Sequence, residues 1–300
     1  MRSFEKETGK EVIRPAIAGL MGAFGAALYA KENTPADKLI SSIVTEPELR
    51  AFSYASRSVT CKGCTSHCTV NILTFADGRR FISGNKCERG AGLPVRKDVP
   101  DIYNYKYEKL LALPAENVPG VRGTVGLPVQ LVMFEQLPLW TAFFETCGFR
   151  VVLSDRSSRE LYFRGQHTVA SDTACYPAKL MHGHIESLLD KNVDFIFYPC
   201  ESYNLDEHDS INHYNCPVVA YYPELLKANN ERLTEENFVM PYLDPNSEKT
   251  TVRALHHALA RWKLPSSLIR RAWREGLSAY AAFHADVVWE GRRILAQAEQ

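Results

Sequence analysis

From Val125 to Tyr221 short apolar stretches alternate with helical patterning, and that alternation constrains the fold more than any other feature. Gly126–Met133 opens on a buried strand, Trp140–Thr146 reads as a helix with Gly148 as its stop, and Phe149–Leu153 is a short apolar strand. Ser157 or Ser158 caps a helix running through Arg164, and Cys175-Tyr-Pro opens another over Ala178–Leu189. Asp194–Tyr198 is a strongly apolar strand ending at Pro199-Cys200. An acidic, polar loop, Glu201–Asp209, then leads through Asn215-Cys216-Pro217 to a further expected strand, Val218–Tyr221. Elements of this length and order predict an α/β domain: a Rossmann-like parallel sheet covered by helices.

The flanking segments have their own character. Residues 1–57 comprise a glycine-rich helix, with Gly19, Gly22 and Gly25 at helical spacing, then a linker and a short helix around Asp37–Val44. Repeated glycine costs a lone helix stability, so that face is expected to pack tightly on something. Residues 58–92 form a Cys-rich knuckle and β-hairpin: strand-like alternation over Cys68–Phe75, a turn at Asp77-Gly78 and a return strand Arg80–Ser83. Residues 93–124 read as irregular connection, 125–245 as the Rossmann-like domain and 246–300 as a helical tail. In the tail Val252, Leu255, Leu259 and Trp262 make one apolar stripe. Ile269, Trp273, Leu277, Tyr280, Phe283 and Val287 make a longer one, the pattern of core-facing helices.

Composition excludes several classes. With 45% hydrophobic and 11% aromatic residues in 300, the chain can bury a full core, against disorder or a disulfide scaffold. Its 35 basic and 35 acidic residues cancel, so nothing draws it globally to nucleic acid or an acidic membrane. The longest uncharged stretch, Pro15 to Ala30, falls short of the ~20 apolar residues of a spanning helix. Glu5, Glu7 and Glu11 precede it, unlike the basic start of a signal peptide. The expected location is the cytoplasm, where clustered thiols serve as metal ligands or redox groups more often than as disulfides.

The eight cysteines fall into two constellations and a remainder. Cys61, Cys64 and Cys68, with Cys87 brought back by the hairpin, can supply a tetrahedral thiolate shell. That spacing serves zinc and an iron–sulfur cubane equally. His67 is a spectator, because the thiols suffice. Cys175, Cys200 and Cys216 are dispersed in sequence but stand at junctions of the alternating elements, and the carboxyl ends of parallel strands are where ligand sites gather. Converging there, they would hold a metal and leave one position open; the plain alternative is three thiols each filling a small buried site. Cys147, between Phe144 and Phe149, is a core residue. His182 and His184 are two apart on a helix and face different ways, while His208 and His213 are reserve candidates for ligation or proton transfer. No Walker phosphate loop, dinucleotide fingerprint, nucleophile elbow or zinc-protease helix occurs. Ser157-Ser158 at a helix start is a cap before it is an anion site. No catalytic residue is assigned.

Residues 58–222 resemble the activase-related module linked to 2-hydroxyacyl-CoA dehydratases, of the benzoyl-CoA reductase and dehydratase activator family. The resemblance rests on Cys61-Lys-Gly-Cys64 with Cys68, Phe81-Ile-Ser-Gly-Asn-Lys-Cys87-Glu-Arg-Gly90, Val125-Gly-Leu-Pro128 and Gly148-Phe-Arg-Val-Val-Leu-Ser154. It continues through Cys175-Tyr-Pro-Ala-Lys-Leu180, His182-Gly-His184, Asp194–Cys200 and Asn212-His-Tyr-Asn-Cys-Pro217. Arg14 to Leu28 looks like the last glycine-rich helix of the ATPase domain that precedes this module in large members. The phosphate-binding parts of such ATPase domains do not lie in these residues, so the resemblance implies a fragment or a split-gene product.

By that similarity Cys175, Cys200 and Cys216 are expected to hold an iron–sulfur cluster, of the 4Fe-4S type, with Cys61, Cys64, Cys68 and Cys87 holding a cluster or zinc. The resemblance further implies electron transfer in the ATP-driven reductive activation of an acyl-CoA dehydratase-type enzyme. Its partners would be an activase-type ATPase domain or subunit and an acyl-CoA dehydratase-like enzyme. The competing expectation is a non-catalytic zinc-ribbon and α/β module that docks an ATPase. A thiol–disulfide redox protein fits least, because Cys61-x-x-Cys64 precedes a hairpin rather than opening a helix.

Overall fold

The computed structural model describes residues 2–35, 44–64, 66–94, 99–114, 122–208 and 211–299. In chain order its principal elements are α1 (Arg2–Thr8), α2 (Met21–Asn33), α3 (Glu46–Ala51), β1 (Tyr54–Thr60), β2 (Thr69–Phe75), β3 (Arg80–Ser83) and α4 (Ile102–Leu111). There follow β4 (Thr124–Leu127), α5 (Val132–Thr146), β5 (Arg150–Leu153), α6 (Arg159–Gly165), α7 (Tyr176–Asp190), β6 (Phe195–Phe197) and β7 (Cys200–Glu201). The chain closes with α8 (Pro217–Asn229), β8 (Phe238–Val239), β9 (Tyr242–Leu243), α9 (Glu248–Ala258) and α10 (Ser266–Ala298). The chain divides into two units, 1–57 with 72–81, and 58–71 with 82–300.

In the first unit Thr45 and Glu48 form a capping box at the start of α3, and Phe52 lies against Tyr54 and Phe75. The glycine-bearing α2 buries none of its residues; Phe24 and Leu28 are exposed. The helix expected around Asp37–Val44 falls, except for Val44, outside the described residues. The strands β1, β2 and β3 are neighbours in that order in a three-stranded sheet, and Gly78, at φ +81°, supplies the left-handed turn between β2 and β3.

The second unit is α/β. Its sheet has the order β5-β4-β6-β8, and every pair is parallel. From β4 the chain crosses through α5 to β5 on one side, then returns through α6 and α7 to β6 on the other. The gap between β4 and β6 is therefore a topological switch point, where an open parallel sheet has a crevice at its carboxyl edge. Pro199 and Pro241 interrupt the ladder, yet Tyr198 N–H donates to Val239 O at 3.0 Å and Cys200 N–H to Pro241 O at 2.8 Å. The parallel pair β7–β9 thus prolongs β6–β8 past the break.

The core is aromatic. Trp140, fully buried on α5, has the rings of Phe143, Phe197 and Trp273 at 5.7, 4.7 and 5.8 Å. Trp273 lies on α10, so the tail belongs to this core. Val252, Leu255, Leu259, Ile269, Tyr280 and Phe283 are buried, and Trp262, Leu277 and Val287 pack against them. Cys147 is buried there too, at the end of α5, and burial pushes its thiol up to about 12.

Two sequence expectations need correction. Val218–Tyr221 is not a strand but the first turn of α8. Cys216 is its extended N-cap, Pro217 occupies the first helical position, and Cys216 O accepts from Ala220 N–H at 2.9 Å. Proline pre-set for helix at that position outweighs the β preference of two valines. The connection 93–124 is not wholly irregular, since Asp101 caps α4 by accepting from Asn104 N–H at 2.9 Å, and α4 buries Leu110.

The helices α6 and α7 cross without room for a side chain. A Cβ on Gly183 would stand 2.0 Å from Leu161 O, and one on Gly165 would stand 2.2 Å from Gly183 N. Gly183→Ala must push two backbones apart, and is expected to destabilise the protein by about 1–3 kcal/mol or more. Urea unfolding checks this, with Gly291→Ala in α10, where nothing lies near and helix propensity alone should stabilise slightly, as the reference.

Candidate functional site at the sheet's carboxyl edge

Cys200 sits at the switch point, directly beyond β6, and is 1% exposed. Burial pushes its thiol up to about 12, reinforced by the negative charge of Glu224, whose backbone N–H donates to the sulfur. Cys175 and Cys216 are the exposed N-caps of α7 and α8. One helix, α8, has a residue by each of the three dispersed cysteines: Cys216 is its N-cap, Glu224 acts on Cys200, and Tyr222 is within electrostatic reach of Cys175.

Tyr222 is held by a hydrogen-bond relay. Thr168 Oγ1 donates to Gly165 O at 2.9 Å, so it accepts from His182 Nδ1 at 2.7 Å, which leaves Nε2 to accept from Tyr222 O–H at 3.0 Å. His182 is 1% exposed and burial lowers its pKa to about 4, which keeps it neutral. Burial and then the charge of Cys175 push Tyr222 up to about 12. His184 has different neighbours, as the spacing implied: Nδ1 meets Ser154 Oγ at 2.7 Å and Nε2 meets Ser157 Oγ at 3.0 Å. Ser154 also accepts from Val129 N–H, so His184 ties the ends of β4 and β5 to the start of α6. Ser158 is the cap of α6, accepting from Leu161 N–H at 3.1 Å.

On the other side of the strand lies Glu201, 1% exposed and part of β7, not of the polar loop its sequence neighbours suggest. Its Oε2 accepts from Gln136 Nε2 at 2.6 Å, while Oε1 has no partner, and burial raises the carboxyl pKa to about 8. Trp140 N–H donates to Gln136 Oε1 at 2.8 Å and fixes that amide's direction. The hydroxyl of Tyr198, wholly buried three residues earlier, is likewise unpartnered. His213 approaches Asp206 at 3.3 Å, as does His208, and both belong to the loop after β7.

The N-terminal cysteines are arranged on a closed knuckle. Cys61 N–H donates to Cys68 O at 2.8 Å, and Gly63 N–H approaches Cys61 Sγ at 3.4 Å. Beyond β3 and Cys87, Arg89 donates from Nη1 to Gly63 O, which links the two halves of the Cys61–Cys87 set. Hydrogen bonds from Ser66 lower the Cys64 thiol. The knuckle rests on α6, where Arg159 donates to His67 O at 3.2 Å. All eight cysteines are free thiols, and among the described residues no group of three or more His, Cys, Asp or Glu side chains stands close enough to hold a metal ion. Among the described residues no helix is long and apolar enough to cross a membrane.

A protein-family model described as the CoA enzyme activase uncharacterised domain matches residues 124–300. No curated protein and no solved structure matches the chain.

Proposed function

Since this chain belongs to the family of the CoA enzyme activase uncharacterised domain, we propose that it is an electron-transfer module for the ATP-driven activation of acyl-CoA enzymes. The reading gives it an iron–sulfur cluster of the 4Fe-4S type on Cys175, Cys200 and Cys216. The observation that supports it is Cys200 directly beyond β6 at the switch point, with the other two cysteines at the N-cap positions of α7 and α8. The donor chemistry suits such a group. A thiol pushed up to about 12 ionises only against a strong positive charge, which bound iron would provide, and the two thiols at the helix starts are exposed and free. When bound, the cluster stores and releases one electron at a potential set by burial and by hydrogen bonds to sulfur. The protein's own share is to supply the Glu224 N–H to Cys200, keep His182 neutral and hold Tyr222 beside Cys175.

In the same reading Cys61, Cys64, Cys68 and Cys87 take a second cluster or a zinc ion, and an activase-type ATPase and an acyl-CoA dehydratase-like enzyme are the partners. Anaerobic purification with iron, zinc and acid-labile sulfide analysis tests the assignment. The expected result is iron and sulfide in similar amounts, with a brown colour bleached by dithionite. Zinc alone, colourless after anaerobic reconstitution, would leave a zinc-ribbon interaction module in place of a redox one.

A further inference from the structure

A second cavity opens just beyond the carboxyl ends of β7 and β9. These strands run parallel with Cys200 opposite Tyr242 and Glu201 opposite Leu243, so Tyr203 and Asp244, which follow them, emerge side by side. The opposite wall is α9, which turns Thr250, Arg253 and His257 inward at helical spacing. It is an open groove of about 640 Å³, within the ~300–1,000 Å³ of small-molecule sites.

The lining is chemically divided. Tyr242 and Tyr203 present exposed ring surface, Tyr203 being braced by Tyr214 at 4.6 Å between centroids. Arg253 and His257 supply donors, and neither makes an ion pair or hydrogen bond with any described residue. The neighbouring arginines of α10 differ, because Arg270 and Arg274 are both occupied by Glu248. Asp244 accepts from Asn246 N–H through one oxygen. Its remaining lone pairs stand available to hydroxyl groups. An aromatic face, an unpaired guanidinium with an imidazole one helical turn on, and a carboxylate at a strand end match three parts of one ligand: a planar base, a phosphate pair and a sugar.

From this we infer that the cavity binds the nucleoside diphosphate group of a small molecule, whether a free nucleotide or coenzyme A. Arg253 and His257 take the phosphates, the tyrosines take the base and Asp244 takes the sugar hydroxyls. No glycine fingerprint is needed, because side chains of α9 replace the helix N-terminus as the phosphate donors. The inference does not depend on the cysteines holding a cluster.

Isothermal titration of the full chain with ADP, adenosine, pyrophosphate and coenzyme A tests it. ADP is expected to bind at one per chain, more tightly than adenosine or pyrophosphate. Arg253→Ala should weaken ADP and pyrophosphate by about tenfold or more, the value of a charge-assisted hydrogen bond, and leave adenosine unchanged. Arg270→Ala, outside the cavity, should change none of them. Since Arg253 is exposed and unpartnered, its loss should leave the melting temperature as it was. Coenzyme A binding more tightly than ADP identifies the acyl-CoA carrier as the source; equal or weaker binding identifies a free nucleotide. Absence of ADP binding, ADP no tighter than adenosine, or an Arg253→Ala variant that binds ADP like the parent overturns the inference. Iron measured on the same samples reports on the cluster separately.

Discussion

Cys200→Ala is expected to emerge from anaerobic purification with its iron and sulfide lost and its fold intact. The residue is buried at the end of an apolar strand, but removing one sulfur atom leaves a void smaller than that of an Ile→Val change, costing about 1 kcal/mol. The ligand role, by contrast, needs a thiolate, which neither the Glu224 N–H that faces the sulfur nor the nearby carboxylates of Glu224 and Glu201 supply. Cys175→Ala and Cys216→Ala should also lower iron, with small stability losses because both caps are exposed and neither side chain makes a capping hydrogen bond. Cys147→Ala is the control, a buried thiol of the aromatic core that should keep full iron. The measurement is iron and acid-labile sulfide per chain, beside a circular dichroism melt. Full iron in all three strand-edge variants would show that the cluster, if present, sits elsewhere. Loss of iron from the Cys147 variant as well would point to a general instability.

The parts of this edge that could be read from sequence are those fixed by local chemistry. Three apolar residues of β6 flanked by Asp194 and Pro199 can only be a short buried strand, so Cys200 had to follow one. A serine before an apolar helix had to cap it, as Ser158 does. Where two local signals compete, sequence misled: the valines after Cys216 favour a strand, and only the proline at the first helical position argues otherwise. Long-range pairing was the other blind spot. Glu201 has the neighbours of a loop residue in sequence, and it is buried because β7 pairs with β9 some forty residues on. Tyr222 acquires meaning through His182, forty residues earlier, and no pattern in either segment foretells that bond. Arg253 stands in an ordinary amphipathic helix; its lack of an acid partner is a property of the assembled surface.

The same two buried histidines should dominate the protein's response to acid. Burial lowers His182 and His184 from the ordinary 6.5 to about 4 each, and both are essentially inaccessible to solvent. In the unfolded chain they take up protons as the pH drops through 6.5, while in the fold they stay neutral. Their contribution to stability is therefore complete above pH 6.5, declines as the pH falls, and is gone below about 4. Between pH 7 and 5 each histidine should withdraw about 2 kcal/mol, and the pair about 4 kcal/mol. A glutamine at either position keeps hydrogen-bonding capacity without the titration. His182→Gln and His184→Gln should thus begin less stable at pH 7 but lose about 2 kcal/mol less than the parent on going to pH 5. Urea unfolding at the two pH values gives the difference directly, and carboxylates elsewhere cancel in the comparison. Variants that follow the parent's pH slope would show that the imidazoles are hydrated or charged in the fold. Protonation of His182 would also turn Nε2 from acceptor to donor and break its bond from Tyr222, so acid should loosen the tyrosine beside Cys175 before the sheet itself unfolds.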